Sequence, residues 1–217
     1  MNMDNPDKQI TGAQIAKFFP ANGQKACDFV LGAHNASQFP ETYFPEVAFI
    51  GASNVGKSSL VNSLTAQKVA IVSNTPGRTR QLNFFLISKK LMLVDMPGYG
   101  FAKAKNKHIA QWQKTSFEYF AKRKPLKRVF LLIDPIKGLK ETDHEMANIF
   151  NMSGVSFQII LTKIDKISES ELEKVKNNII EGSKLWAALH PKILSCSCKR
   201  NDGFDQIKRE IVALIMQ

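Results

Sequence analysis

Eight consecutive residues, Gly51-Ala52-Ser53-Asn54-Val55-Gly56-Lys57-Ser58, carry the clearest chemistry in this 217-residue chain. They fit G-x-x-x-x-G-K-[ST], a loop whose glycines let the backbone wrap closely around a phosphate. The N–H groups of such a loop, and of the helix it opens, face the anion. Lys57 is placed to reach the β- and γ-phosphates of a nucleoside triphosphate, and Ser58 to ligate Mg²⁺. The loop follows an apolar run and precedes a helical pattern, as this chemistry requires.

Three further stretches can complete a nucleotide site. Asp95-Met96-Pro97-Gly98 ends an apolar run, so Asp95 can hold Mg²⁺ through water and the Gly98 N–H can sense a γ-phosphate. Thr162-Lys163-Ile164-Asp165 ends another. An aspartate there accepts from N1–H and the 2-amino group of guanine. Adenine offers neither donor, and an unpaired carboxylate costs roughly 2–3 kcal/mol per lost contact. Lys163 can lay its stem along the base. The loop between Gln67 and Gln81 holds Thr75, Pro76, Gly77, Arg78, Thr79 and Arg80. One threonine is needed there to close on Mg²⁺ and the γ-phosphate; Thr79 is the first choice and Thr75 the second. Ser197-Cys198-Lys199 follows the last strand and can touch the guanine.

The elements that position these residues alternate in type. Strands are expected at Val47–Ile50, Leu82–Ile87, Leu91–Val94, Val129–Ile133, Phe157–Leu161 and Ile193–Ser195. Helices are expected at Lys57–Ala66, His108–Lys124, Thr142–Phe150 (capped by Thr142), Ser168–Leu189 and Phe204–Met216. This implies an α/β fold of three layers, with a mostly parallel six-stranded sheet and helices on both faces. Residues 1–24 are expected as a loosely held tail with one short helix, residues 35–46 as a linking loop, and 25–217 as one globular domain.

Hydrophobic residues make up 44% of the chain, enough for a packed core. No run approaches the roughly 20 apolar residues of a membrane helix, and the polar start MNMDNPDKQI lacks a secretory signal, so a cytoplasmic protein is expected. Three cysteines do not make a disulfide framework, and Cys196-x-Cys198 lacks a second pair for a metal. The net charge of +11 is concentrated in 101–140, where 11 Lys/Arg face 2 Asp/Glu. That excess is either a solvated face or a patch for a polyanion such as RNA.

With these residues in place, the chain resembles the EngB family of bacterial P-loop GTPases, in the branch that includes Era and EngA. The resemblance is carried by Gly51–Ser59, Thr75-Pro76-Gly77-Arg78-Thr79, Asn83-Phe84-Phe85, Asp95–Gly100 and Thr162-Lys163-Ile164-Asp165. It extends the expected GTP contacts to Ser59, Gly77, Arg78, Arg80 and Gln81. It matches the family's serine-rich fifth motif to Cys196-Ser197-Cys198. The family's Asp-x-Arg-His stretch is replaced here by Asp134-Pro135-Ile136-Lys137. The resemblance implies a GTP/GDP switch in large ribosomal subunit assembly, needed for division septation; contact with the subunit or its rRNA through the basic face, and a monomeric state, are expected.

Small GTPases commonly orient the attacking water with a glutamine after the glycine of D-x-x-G. Tyr99 stands there, so slow intrinsic hydrolysis is expected. Lys57, Asn54 and Thr79 are the candidate catalytic residues. Asn54 either shapes the loop or, as in related GTPases, holds K⁺ near the phosphates. Rival readings are a P-loop ATPase or kinase, an RNA- or ribosome-binding module with a mainly structural nucleotide site, and a septum scaffold.

Overall fold

The fold, seen in a computed structural model, is described for residues 10–20, 26–70, 81–99 and 106–216, the side chains of 106–112 aside. Its elements are α1 Gly12–Ala16, β1 Cys27–Ala33, β2 Glu46–Gly51, α2 Lys57–Thr65, β3 Leu82–Ile87, β4 Leu91–Asp95, α3 Asn106–Lys122, β5 Leu126–Ile133, α4 Glu141–Met152, β6 Phe157–Leu161, α5 Glu169–Gly182, β7 Leu194–Ser195 and α6 Phe204–Ile215. The strands form one sheet in the order β1-β3-β4-β2-β5-β6-β7. All pairings from β4 through β7 are parallel, whereas β1–β3 and β3–β4 are antiparallel.

Every residue of β2, β4 and β6 is buried, which is why these strands read as mainly apolar runs, with Glu46, Asp95 and Gln158 as their polar members. Alternate side chains serve opposite faces. Val47, Phe49, Phe130 and Leu132 pack with α1, α2 and α6, while Ala48, Ile50, Leu131 and Ile133 pack with α3, α4 and α5. The parallel strands thereby all end on one side of the sheet, where ligands bind in open α/β sheets.

Five expectations change. The sheet has seven strands rather than six among the described residues. The addition is β1, an edge strand that exposes Phe29 and Val30, contains Gly32 and breaks register after Phe29, so it carries neither a continuous nor an alternating apolar pattern. The linking loop contains a 3₁₀ turn at Ala36–Gln38, capped by Asn35. The helix expected over 168–189 stops at Gly182. Trp186 must turn inward there, where it meets Phe157 edge to face and donates to Asn148 at 2.8 Å. Lys140, not Thr142, caps α4, because the Asp143 carboxylate takes the Lys140 N–H at 2.8 Å. Residues 10–20, read as part of a loosely held tail with one short helix, do hold that helix, at Gly12–Ala16, but pack Ile15, Phe18 and Phe19 into the core.

One buried polar cluster pins α3 to the sheet. Glu46, fully buried at the start of β2, accepts from Tyr119 at 2.9 Å and from both Arg123 Nε and Nη2 at 3.0 and 2.5 Å. Arg123 spends its remaining reach on the Pro40 carbonyl, at 2.8 Å, and lies over Phe39 and Phe84. Burial, then the Glu46 charge, lifts the Tyr119 hydroxyl far above its ordinary range.

Candidate nucleotide site

The loop between β2 and α2 turns on two residues in the left-handed region, Asn54 at φ 61° and Gly56 at φ 107°. Gly51 starts it in tight quarters: a Cβ there would lie 2.8 Å from the Leu132 carbonyl. Gly56 caps α2 with no side-chain hydrogen bond. The first N–H groups of α2, at Lys57, Ser58 and Ser59, are thus not taken by a capping side chain, which is the condition for holding an anion.

Asp95 stands beside this loop, where β4 ends. Its carboxylate forms an ion pair with Lys57 Nζ, both side chains being buried. The next residues run along the loop. Met96 donates to the Phe49 carbonyl at 3.0 Å, and its side chain enters the core with Pro97 beside it. Gly98 lies against the loop so closely that a Cβ would sit 3.3 Å from both the Gly51 carbonyl and Ser53 Oγ. Tyr99 pairs in parallel with Ala52.

The base-side loop clamps the phosphate loop from behind. Thr162 Oγ1 donates to the Val55 carbonyl at 2.7 Å and lies 3.3 Å from the Ile133 carbonyl. Lys163 Nζ donates to the Asn54 carbonyl at 2.6 Å and to Asp134 Oδ2 at 2.9 Å. Two successive loop carbonyls are held by two successive side chains, and those are tied to two successive residues at the end of β5. The parallel register of β5 and β6, pairing Ile133 with Leu161, makes this possible.

Asp165 sits one turn further. Ser197 Oγ donates to its Oδ1 at 2.6 Å, and Arg200 Nη2 to its carbonyl at 3.2 Å. The Ser197 hydrogen bond holds the Asp165 carboxyl below the usual carboxylate range. Of the Cys196-Ser197-Cys198 trio, Ser197 is the member whose side chain reaches Asp165. Cys196 is fully buried, uses its backbone to join β6 and the Ile164 N–H, and has its thiol pushed up to about 12 by burial. Cys198 is exposed.

The structure therefore brings Gly51–Ser59, Asp95–Gly98, Thr162–Asp165 and Ser197 to one end of the sheet. Gln81 points elsewhere, donating to Asn83 at 2.9 Å and lying over Gly32. Thr75, Gly77, Arg78, Thr79 and Arg80 fall outside the described residues. Sequence reasoning missed Asp134, Asp143 and Arg200, because their partners lie 29 to 44 residues away along the chain.

A phosphate loop on a mostly parallel sheet, an acidic strand end beside it and a Thr-Lys-x-Asp loop facing both define a P-loop GTPase. Residues 46–163 match the family described as "50S ribosome-binding GTPase". Two proteins named "Probable GTP-binding protein EngB" are similar over most of their length. The one from Caulobacter vibrioides (strain NA1000 / CB15N) is 42% identical over 97% of this chain and 90% of its own. The one from Aquifex aeolicus (strain VF5) is 48% identical over 82% and 93%. Among solved structures, a crystal structure of a probable GTP-binding protein engB shares the fold, with a TM-score of 0.61 and 22% identity over 79% of this chain and all of that one. So does Era in complex with MgGDPNP and 16S ribosomal RNA, with a TM-score of 0.63 and 24% identity over 79% of this chain and 57% of that one. This chain belongs to the EngB family of GTP-binding proteins and is a GTPase.

Proposed function

We propose that the chain is a slow, Mg²⁺-dependent GTP/GDP switch of the cytoplasm that acts, as a monomer, in assembly of the large ribosomal subunit and is needed for normal septation. Asp165 reads guanine, Lys57 holds the β- and γ-phosphates, and the Gly51–Ser59 backbone cradles them. Asp95 and Ser58, with Thr79, form a small set of hard oxygen donors. Such a set suits Mg²⁺, which keeps several waters and takes phosphate oxygens for the rest of its shell. The buried Asp95 carboxylate already holds a cation, Lys57, and so fits that role. Mg²⁺ there would neutralise charge developing on the phosphate oxygens.

Slow turnover follows from Tyr99, whose side chain is buried and hydrogen-bonded to Asp143 rather than free to orient a water. Asn54, exposed on the loop, is the candidate to hold K⁺ in compensation.

The observation that carries the ribosomal part is the charge excess in 101–140. Lys and Arg in such density drive binding to a phosphate backbone. The family description and the RNA-bound Era support the same direction. The test is co-sedimentation with large ribosomal subunits, comparing a non-hydrolysable GTP analogue with GDP at low and moderate salt. Binding with the analogue alone, weakening with salt, is the expected result. No binding in either state removes the ribosome from the function and leaves septation to be tested.

A further inference from the structure

We infer that Asp143, in the first turn of α4 and outside every nucleotide motif, is a positioning residue that sets the response to the γ-phosphate by anchoring Tyr99. The inference rests on the reading that Gly98 meets the γ-phosphate.

Gly98 is fixed from one side by β4, whose chain continues into the Met96–Phe49 hydrogen bond. On its other side stands Tyr99. The backbone links from Tyr99 to the phosphate loop are long: its N–H reaches the Gly51 carbonyl at 3.3 Å, and its carbonyl accepts from Ser53 at 3.2 Å. These lie at or beyond the long end of ordinary N–H···O bonds and hold weakly. The side chain is the stronger tether. Tyr99 Oη donates to Asp143 Oδ1 at 2.5 Å, with Tyr99 4% and Asp143 2% exposed. Hydrogen bonds of this kind to a carboxylate are short and about twice as strong as neutral ones.

Asp143 is itself held from a second side. Its other oxygen takes the Lys140 N–H at 2.8 Å, and its place at the start of α4 is where the helix dipole favours a negative group. A rigid helix thus grips the residue that follows the phosphate-sensing glycine. That same grip removes the Tyr99 side chain from the water-orienting place. The inference gives Asp143 a selective effect: it bears on the nucleotide that has a γ-phosphate and leaves the GDP contacts, made by Lys57, the loop and Asp165, alone.

The experiment compares the full chain with its Tyr99→Phe, Asp143→Asn and doubly substituted variants, measuring affinity for GDP and for a non-hydrolysable GTP analogue in Mg²⁺. Asp143→Asn keeps an oxygen for the Lys140 N–H, so α4 retains its cap, and turns its amide N–H toward Tyr99 Oη, which replaces the charge-assisted bond with a weaker neutral one. Analogue affinity is expected to fall roughly tenfold in each single variant and no further in the double, with GDP affinity within about twofold. An unchanged analogue-to-GDP ratio overturns the inference, and so does an equal loss for both nucleotides, which marks a role in folding alone. Wild-type protein that binds neither nucleotide overturns the inference together with the reading beneath it, and is told apart by that result.

Discussion

The hydroxyl of Ser197 lies 2.6 Å from Oδ1 of Asp165, across 32 residues of chain and from a different loop. A carboxylate that must recognise two donors on one edge of a base is thereby held in one rotamer and kept ionised. The sign of its pH dependence follows. Its folded pKa is depressed, so its charge-dependent contribution is complete above the ordinary value near 4 and is lost only as pH falls through the lowered value.

Ser197→Ala should therefore bring the acid loss of GDP binding to a higher pH than in the wild type. The check is the difference between the two affinity profiles over about pH 3 to 6, which cancels titration of the nucleotide itself. Coincident profiles would show that Ser197 does not control this carboxylate.

Asp165→Asn replaces an acceptor with a group that also donates. Guanine affinity should drop on the order of a hundredfold, since contacts with a charged acceptor are lost. Xanthine, which carries a carbonyl in place of the 2-amino group, should be gained. Competition of GDP and xanthosine diphosphate on the variant reads both.

Lys57→Ala leaves the Asp95 carboxylate buried without its ion-pair partner. Breaking a buried pair costs about 3 kcal/mol or more. Urea unfolding of nucleotide-free protein should register this loss, and the Lys57→Ala/Asp95→Asn double variant should recover part of it. Equal stability of wild type and single variant would mean that the buried pair does not hold in solution.

Tyr119→Phe removes one hydrogen bond to the fully buried Glu46 while Arg123 remains. A loss of about 2 kcal/mol is expected, the usual size for a bond to a charged group. Glu46→Ala should cost more, since it strands Arg123 and Tyr119 together. Chemical denaturation at neutral pH orders the three proteins.

Hydrolysis should run faster in K⁺ than in Na⁺ at equal ionic strength, and Asn54→Ala should abolish the difference without changing GDP affinity. Equal wild-type rates in the two salts would leave Asn54, at φ 61°, as a residue that shapes the loop.

The strands that carry the site were legible because a parallel strand covered on both faces is almost wholly apolar: Val47–Ile50, Leu91–Val94 and, but for Gln158, Phe157–Leu161 could hardly be anything else. The phosphate loop was legible because its chemistry is local, eight residues long. β1 was not, since an edge strand with Phe29 and Val30 in solvent looks like a loop. The end of α5 was misplaced because helical periodicity runs on past Gly182 into Trp186, whose indole is turned inward by Asn148, a partner 38 residues away. Lys163–Asp134 and Tyr99–Asp143 were invisible for one physical reason. Each pair exists only because separate elements end on the same side of the sheet, and no local pattern records that.

A trans peptide points its N–H opposite to its C=O. Thr162, by holding the Val55 carbonyl, therefore aims the Gly56 N–H away from itself. The bearing of a donor at the phosphate end is set by a hydroxyl at the base end, 107 residues along the chain, before any ligand arrives. A Thr162 substitution that lacks the hydroxyl would thus be felt first where the phosphates lie, although the residue itself belongs to the loop that faces the base.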